Sequence, residues 1–154
     1  MPHWRLYYHL VWATKNREPL IVSEIEAETH EQIRRKVCAL KGDPLQVNGT
    51  ADHVHLVTSI PPSVSISEFT GQIKGSSSFH INHLRDSIHV LEWQRGYGAF
   101  ILGKRDLDPV LEYVQNQKKR HAVGKVWSSL ERMDEEEERI RAGMLREEQA
   151  GYFF

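Results

Sequence analysis

An α+β domain is what this sequence predicts: a four-stranded antiparallel sheet with two helices on one face, followed by a third helix. Two observations carry that expectation. Short segments rich in β-branched and aromatic residues, bounded by Gly, Pro and Asp, recur along the chain, and two longer segments with helical spacing lie between them. Their order, β-α-β-β-α-β, packs most simply as two helices over one antiparallel sheet. The 154-residue length suits one domain with a short appendage.

Residues 7–14 (YYHLVWAT) form the first expected strand. Ser23 is placed to cap a helix over about residues 24–41, with Glu26 completing a capping box. Ile25, Ile33, Val37 and Leu40 supply its apolar stripe, and Gly42, Asp43 and Pro44 end it. Strands follow at about 45–50 and 54–60, joined by a polar corner at Ala51 and Asp52 and closed by Pro61 and Pro62. Residues 65–85 read as a helix weakened by Gly71 and Gly75. Residues 93–102, containing YGAFIL, read as the fourth strand. Asp106 or Asp108 then caps a helix through about His121, with Pro109 in its first turn. This is the ferredoxin-like (RRM-like) plan, expected over 1–127. Residues 128–154 form a charged C-terminal segment, expected as an amphipathic helix.

Composition bounds the function. About 40% apolar residues are enough for one core. The single Cys38 excludes an internal disulfide framework and a multi-cysteine zinc site. His3, Arg5 and His9 interrupt the N-terminal apolar residues, so neither a signal peptide nor a membrane span is expected, and the default compartment is the cytoplasm. The formal net charge is -1. Eight acidic and four basic residues are concentrated in 131–154, which leaves the body slightly positive and compatible with a phosphate backbone.

Two local patterns carry chemistry. In Asp52-His53-Val54-His55-Leu56, the i, i+2 spacing on a strand puts both imidazoles on one face, where they can grip one divalent cation. Asp52 should then face away from them. In Glu112-Tyr113-Val114-Gln115-Asn116-Gln117, the i, i+4 spacing puts a phenol and an amide on one helical face. Lys118, Lys119 and Arg120 follow, suited to phosphates and to the helix C-terminus. Lys74 and Ser76, with Ser77 and Ser78, are further candidates for phosphate contact, and Trp93, Tyr97 and Phe100 for base stacking.

Taken together, YHLVWATKNREPL, ADHVHLV, IKGSSS, WQRGYGAF and YVQNQ stand in the order and spacing of a known family. Over about residues 7–121 the chain resembles the single-tyrosine HUH transposases of small insertion sequences, including relatives that act at repetitive extragenic palindromes. The resemblance implies that Tyr113 is the nucleophile and that His53, His55 and Gln117 hold Mg²⁺ or Mn²⁺. The implied substrate is single-stranded DNA with hairpin ends, cut and rejoined through a 5′-phosphotyrosine. It also implies a nucleoid-associated homodimer whose sites are completed in trans, for which Gly103 offers a flexible joint. The chain departs from the family pattern at Ile101-Leu102-Gly103, where many relatives have a Ser-rich turn, and at Arg120-His121, which replaces a His-His pair. Two alternatives remain open at this point. One is a non-catalytic single-stranded nucleic-acid-binding module of the same fold. The other is a zinc hydrolase centred on His53 and His55, with His80, His83 and His89 as candidate further ligands.

Overall fold

The structure, a computed structural model, describes residues 5–84 and 88–118. It contains β1 (Tyr7–Ala13), α1 (Ser23–Ala39), β2 (Asp43–Gly49), β3 (His53–Ser59), α2 (Ile66–Asn82), β4 (Gly98–Leu102) and α3 (Lys104–Gln115). The strands form one antiparallel sheet in the order β2-β3-β1-β4. β1 and β2 flank β3, and β3 and β4 flank β1, so α1 and α2 each close a split β-α-β unit. The α+β ferredoxin-like expectation holds. None of the described helices is long and apolar enough to cross a membrane. The charged segment 128–154 lies outside the described residues.

Strand alternation divides the side chains between two layers. Leu10 and Trp12 of β1, Val47 of β2, and Val54 and Leu56 of β3 face α1 and α2. There they join Ile25, Ile33, Val37, Phe69, Ile73 and Ile81 in the main core. The other face presents His9, His53, His55 and Val57, and α3 covers it through Val110, Tyr113 and Val114, which pack with Val57 and Leu102. β1 and β3 therefore carry core residues and site residues in alternation.

Several element ends differ from expectation for identifiable reasons. The α1 N-cap is Val22, with no side-chain cap bond, and Ser23 is already helical. Ile21 and Ile25, at 2% and 3% exposure, are both drawn into the core, which starts the helix one residue early. At its far end Lys41 takes φ 68° and the Gly42 amide donates to the Val37 carbonyl at 2.9 Å, a Schellman closure. α2 starts as expected, with Ser65 Oγ accepting from the Glu68 amide at 3.1 Å. β4 is only Gly98–Leu102, because Gly96 (φ 93°) breaks the strand and leaves Trp93 as an isolated bridge to Thr14.

α3 begins at Lys104. Its N-cap is Gly103, and Asp106 reaches back from the third helical position to accept from the Gly103 amide at 3.1 Å. Pro109 consequently sits in the second turn, where a missing donor and ring crowding cost about 3 kcal/mol. Burying Val110, Tyr113 and Val114 returns about 1.5–3 kcal/mol each, so packing outweighs the proline. α3 owes its existence to the sheet beneath it.

One buried histidine makes the fold pH-sensitive. His30 of α1 is 6% exposed, and burial holds its imidazole down at about 4; Lys118 and Arg34 add to the effect and Glu26 opposes it. The unfolded chain protonates this group near 6.5 and the folded chain does not. The stabilisation is therefore complete above 6.5 and is lost as pH falls towards 4, by about 3 kcal/mol in total. His30→Gln should lose less stability than wild type between pH 7 and 4.5 in urea titrations. Equal losses in the two proteins would contradict this assignment.

Candidate active site

β3 begins at His53, directly after the tight β2–β3 turn. Gly49 makes that turn possible: a Cβ there would stand 2.2 Å from the His53 carbonyl oxygen. His53 and His55 are 1% and 0% exposed and share the α3 face, with ring centroids 5.0 Å apart. Tyr113 is also fully buried, its ring edge-on to His55 at 6.0 Å between centroids. Gln117 is buried too, and its side-chain Nε2 lies 3.3 Å from His53 Nε2. All four proposed residues thus meet within one chain.

The helical spacing anticipated Tyr113 beside Gln117, but the helix is not continuous between them. α3 ends at Gln115, and Asn116 makes a turn. Asn48 of β2, opposite His55 in the sheet register, holds this end: its Nδ2 donates to the Gln115 carbonyl at 3.0 Å. Lys118 Nζ donates to Asn48 Oδ1 at 2.9 Å and pairs with Glu26 at 2.7 Å.

Asp52 corrects an expectation. It precedes the strand, so alternation does not govern it, and it turns towards His53 rather than away. Its Oδ1 lies 2.7 Å from His53 Nδ1, and Thr50 Oγ1 donates to the same oxygen at 3.0 Å. The hydrogen bond from His53 holds the Asp52 carboxyl at about 2; the Arg17 charge and the Thr50 hydroxyl add to this, and partial burial opposes it. An ionised carboxylate can only accept, so His53 donates through Nδ1 and keeps the Nε2 lone pair towards Gln117. A carboxylate behind a histidine whose other nitrogen is left as a ligand is the usual support of a metal-binding imidazole.

The donor set fits a divalent cation. Among the described residues no three His, Cys, Asp or Glu side chains converge as a metal site. Here the third donor would be an amide: Gln117 can present Oε1 in place of Nε2 by a 180° amide rotation. Two imidazoles and one amide oxygen suit Mn²⁺ and admit Mg²⁺.

The family profile described as "Transposase IS200 like" matches residues 2–117. The chain belongs to the IS200-like transposase family. It is 32% identical over 127 residues to the transposase for insertion sequence element IS200 of Salmonella typhimurium, covering 79% of this chain and 82% of that protein. It is 34% identical over 76 residues to the ISDra2 transposase TnpA of Deinococcus radiodurans, covering 49% and 54%. Two solved structures share the fold. One, a candidate transposase from Deinococcus radiodurans R1, superposes with TM-score 0.57 at 24% identity, covering 76% of this chain and 98% of the other. The other is a REP-associated tyrosine transposase bound to a REP hairpin, with TM-score 0.58 at 14% identity and coverage of 82% and 76%. Family membership makes this chain a DNA-processing transposase.

The remaining candidates fall into three groups. Lys74 Nζ donates to the Gln94 and Gly96 carbonyls at 2.7 Å each, tying α2 to the segment before β4. Ser76 is half-buried on α2, while Ser77 and Ser78 bond back to carbonyls of their own helix. Trp93 packs edge-on to Trp12 and donates to Ser77 Oγ at 3.0 Å, and Phe100 stacks on His9. His80 pairs with Glu28 at 2.7 Å between α2 and α1, on the opposite side of the sheet from His53 and His55. Lys119, Arg120 and His121 lie outside the described residues.

Sequence reasoning missed His9 and Asn48. Both lie in strands on the α3 face, and only the register of β1 and β2 against β3 brings them to His55.

Proposed function

We propose that this transposase cleaves and rejoins single-stranded DNA at hairpin-flanked sites, with Tyr113 as nucleophile. The observation that carries this reading is the convergence of Tyr113 on His53, His55 and Gln117 in one buried cluster. The Tyr113 oxygen attacks phosphorus, the bond to the 3′ oxygen breaks, and that oxygen takes up a proton as the phenol loses one. A 5′-phosphotyrosine and a free 3′-hydroxyl result. One ester replaces another, so a second 3′-hydroxyl can attack the phosphotyrosine and reseal DNA without a nucleotide cofactor. A divalent cation on His53, His55 and Gln117 would supply Lewis-acid neutralisation of charge on a non-bridging phosphate oxygen. Asp52 keeps His53 oriented for that role.

A hairpin-forming partner is supported by the REP-associated relative, whose structure contains a REP hairpin. All four side chains are buried, so a phosphodiester reaches them only if α3 moves away from Val57 and Leu102. Assembly within one chain is the reading that the Gln117–His53 approach supports.

One gel assay tests both points. Labelled hairpin-bearing single-stranded DNA should be cut with Mg²⁺ or Mn²⁺, and the fully paired duplex should not. Mixing Tyr113→Phe with His53→Ala/His55→Ala should leave activity absent. Efficient duplex cutting would overturn the single-strand reading. Recovery of roughly a quarter of wild-type activity, as random subunit exchange predicts, would establish assembly in trans.

A further inference from the structure

His9 has no place in the mechanism above, yet it lies at the centre of the site. It is fully buried on β1, opposite Val57 on one side and Phe100 on the other. Its Nε2 lies 2.8 Å from His55 Nδ1, with the two rings within 13° of parallel. Phe100 stacks against its other side at 5.7 Å between centroids. A buried imidazole pair between the two central strands costs desolvation that two apolar side chains would avoid. Stability alone does not account for it.

The direction of this hydrogen bond decides what His55 can do. A neutral imidazole carries one proton. If His9 donates, the His55 proton sits on Nε2 and blocks that nitrogen as a ligand. If His55 donates through Nδ1, its Nε2 lone pair is available. For His53 the same choice is made by Asp52.

We propose that His9 is a positioning residue that accepts from His55 Nδ1. It thereby fixes the tautomer and ring plane of His55, with Nε2 presented for the cation before the cation arrives. This rests on the reading of His53, His55 and Gln117 as cation ligands. His9 and Asp52 are then matched supports, one behind each histidine, drawn from different elements of the fold.

The test is Mn²⁺ binding by the full-length protein without DNA, followed by calorimetry, on wild type, His9→Ala and His9→Gln. Glutamine places its amide where the histidine has Nε2 and can accept the same hydrogen bond. His9→Ala should bind Mn²⁺ about 10–100-fold more weakly, the usual effect of losing such a support, and His9→Gln should recover most of that loss. In the metal-free wild type, ¹⁵N NMR of the His55 ring should place the proton on Nδ1. Unchanged affinity in His9→Ala, or a folded His9→Gln no better than alanine, would overturn the proposal. So would a His55 proton on Nε2, a measurement that decides the matter even if both variants fail to fold. Absence of Mn²⁺ binding by wild type would instead remove the metal reading itself.

Discussion

Tyr113→Phe is expected to remain folded and to bind hairpin DNA, but to form no covalent DNA adduct. Phenylalanine keeps the ring and its edge-on contact with His55, so the packing of α3 on Val57 and Leu102 survives. The loss of one hydroxyl should cost no more than about 1 kcal/mol of stability. The covalent route, by contrast, needs that oxygen. Removing a nucleophile from a catalytic set typically costs at least about 10³-fold, which takes the adduct below detection on a denaturing gel. An adduct that survives in Tyr113→Phe would show that another residue is the nucleophile. Tyr7, Tyr8, Tyr97 and Tyr152 are the remaining tyrosines, and burial pushes the Tyr97 phenol up, away from easy ionisation.

Removing the cation should have an effect of similar size. Excess chelator is expected to slow cleavage by wild type about 10³-fold, equivalent to about 4 kcal/mol of lost transition-state stabilisation, and added Mn²⁺ or Mg²⁺ should restore it. His53→Ala/His55→Ala should show the same low rate with no response to metal. Because both histidines are buried, the variant's thermal unfolding must be compared with that of wild type. The chelator experiment leaves the protein unchanged and so separates loss of metal from loss of fold. Full activity in chelator would remove the cation from the reaction.

Much of this architecture is legible in the amino-acid sequence. Segments rich in β-branched and aromatic residues marked all four strands, although the fourth starts at Gly98 and not near Trp93. The shared face of His53 and His55 was legible from their i, i+2 spacing on a strand. Local rules were weaker where tertiary contacts override them: burial of Ile21 and Ile25 advanced the start of α1, and sheet packing carried α3 through Pro109. Asp52 was misread because it lies one residue before the strand whose alternation was applied to it. His9 and Asn48 were out of reach because their neighbours are set by strand register, a long-range property. His9 nevertheless left a trace. In Tyr8, Leu10 and Trp12 the strand already had its core face, and a histidine on the opposite face was a polar residue awaiting a reason.

The central claim is that Tyr113 itself becomes joined to DNA, and mass spectrometry of the trapped complex tests it most directly. Wild-type protein is incubated with hairpin-bearing single-stranded DNA and Mn²⁺, quenched, and digested with protease and nuclease. A 5′-linked nucleotide on the peptide containing Tyr113, together with a free 3′-hydroxyl on the released strand, is the predicted result. A nucleotide on any other residue, or cleavage that yields only free 5′-phosphate with no protein-linked product at any time, would contradict it.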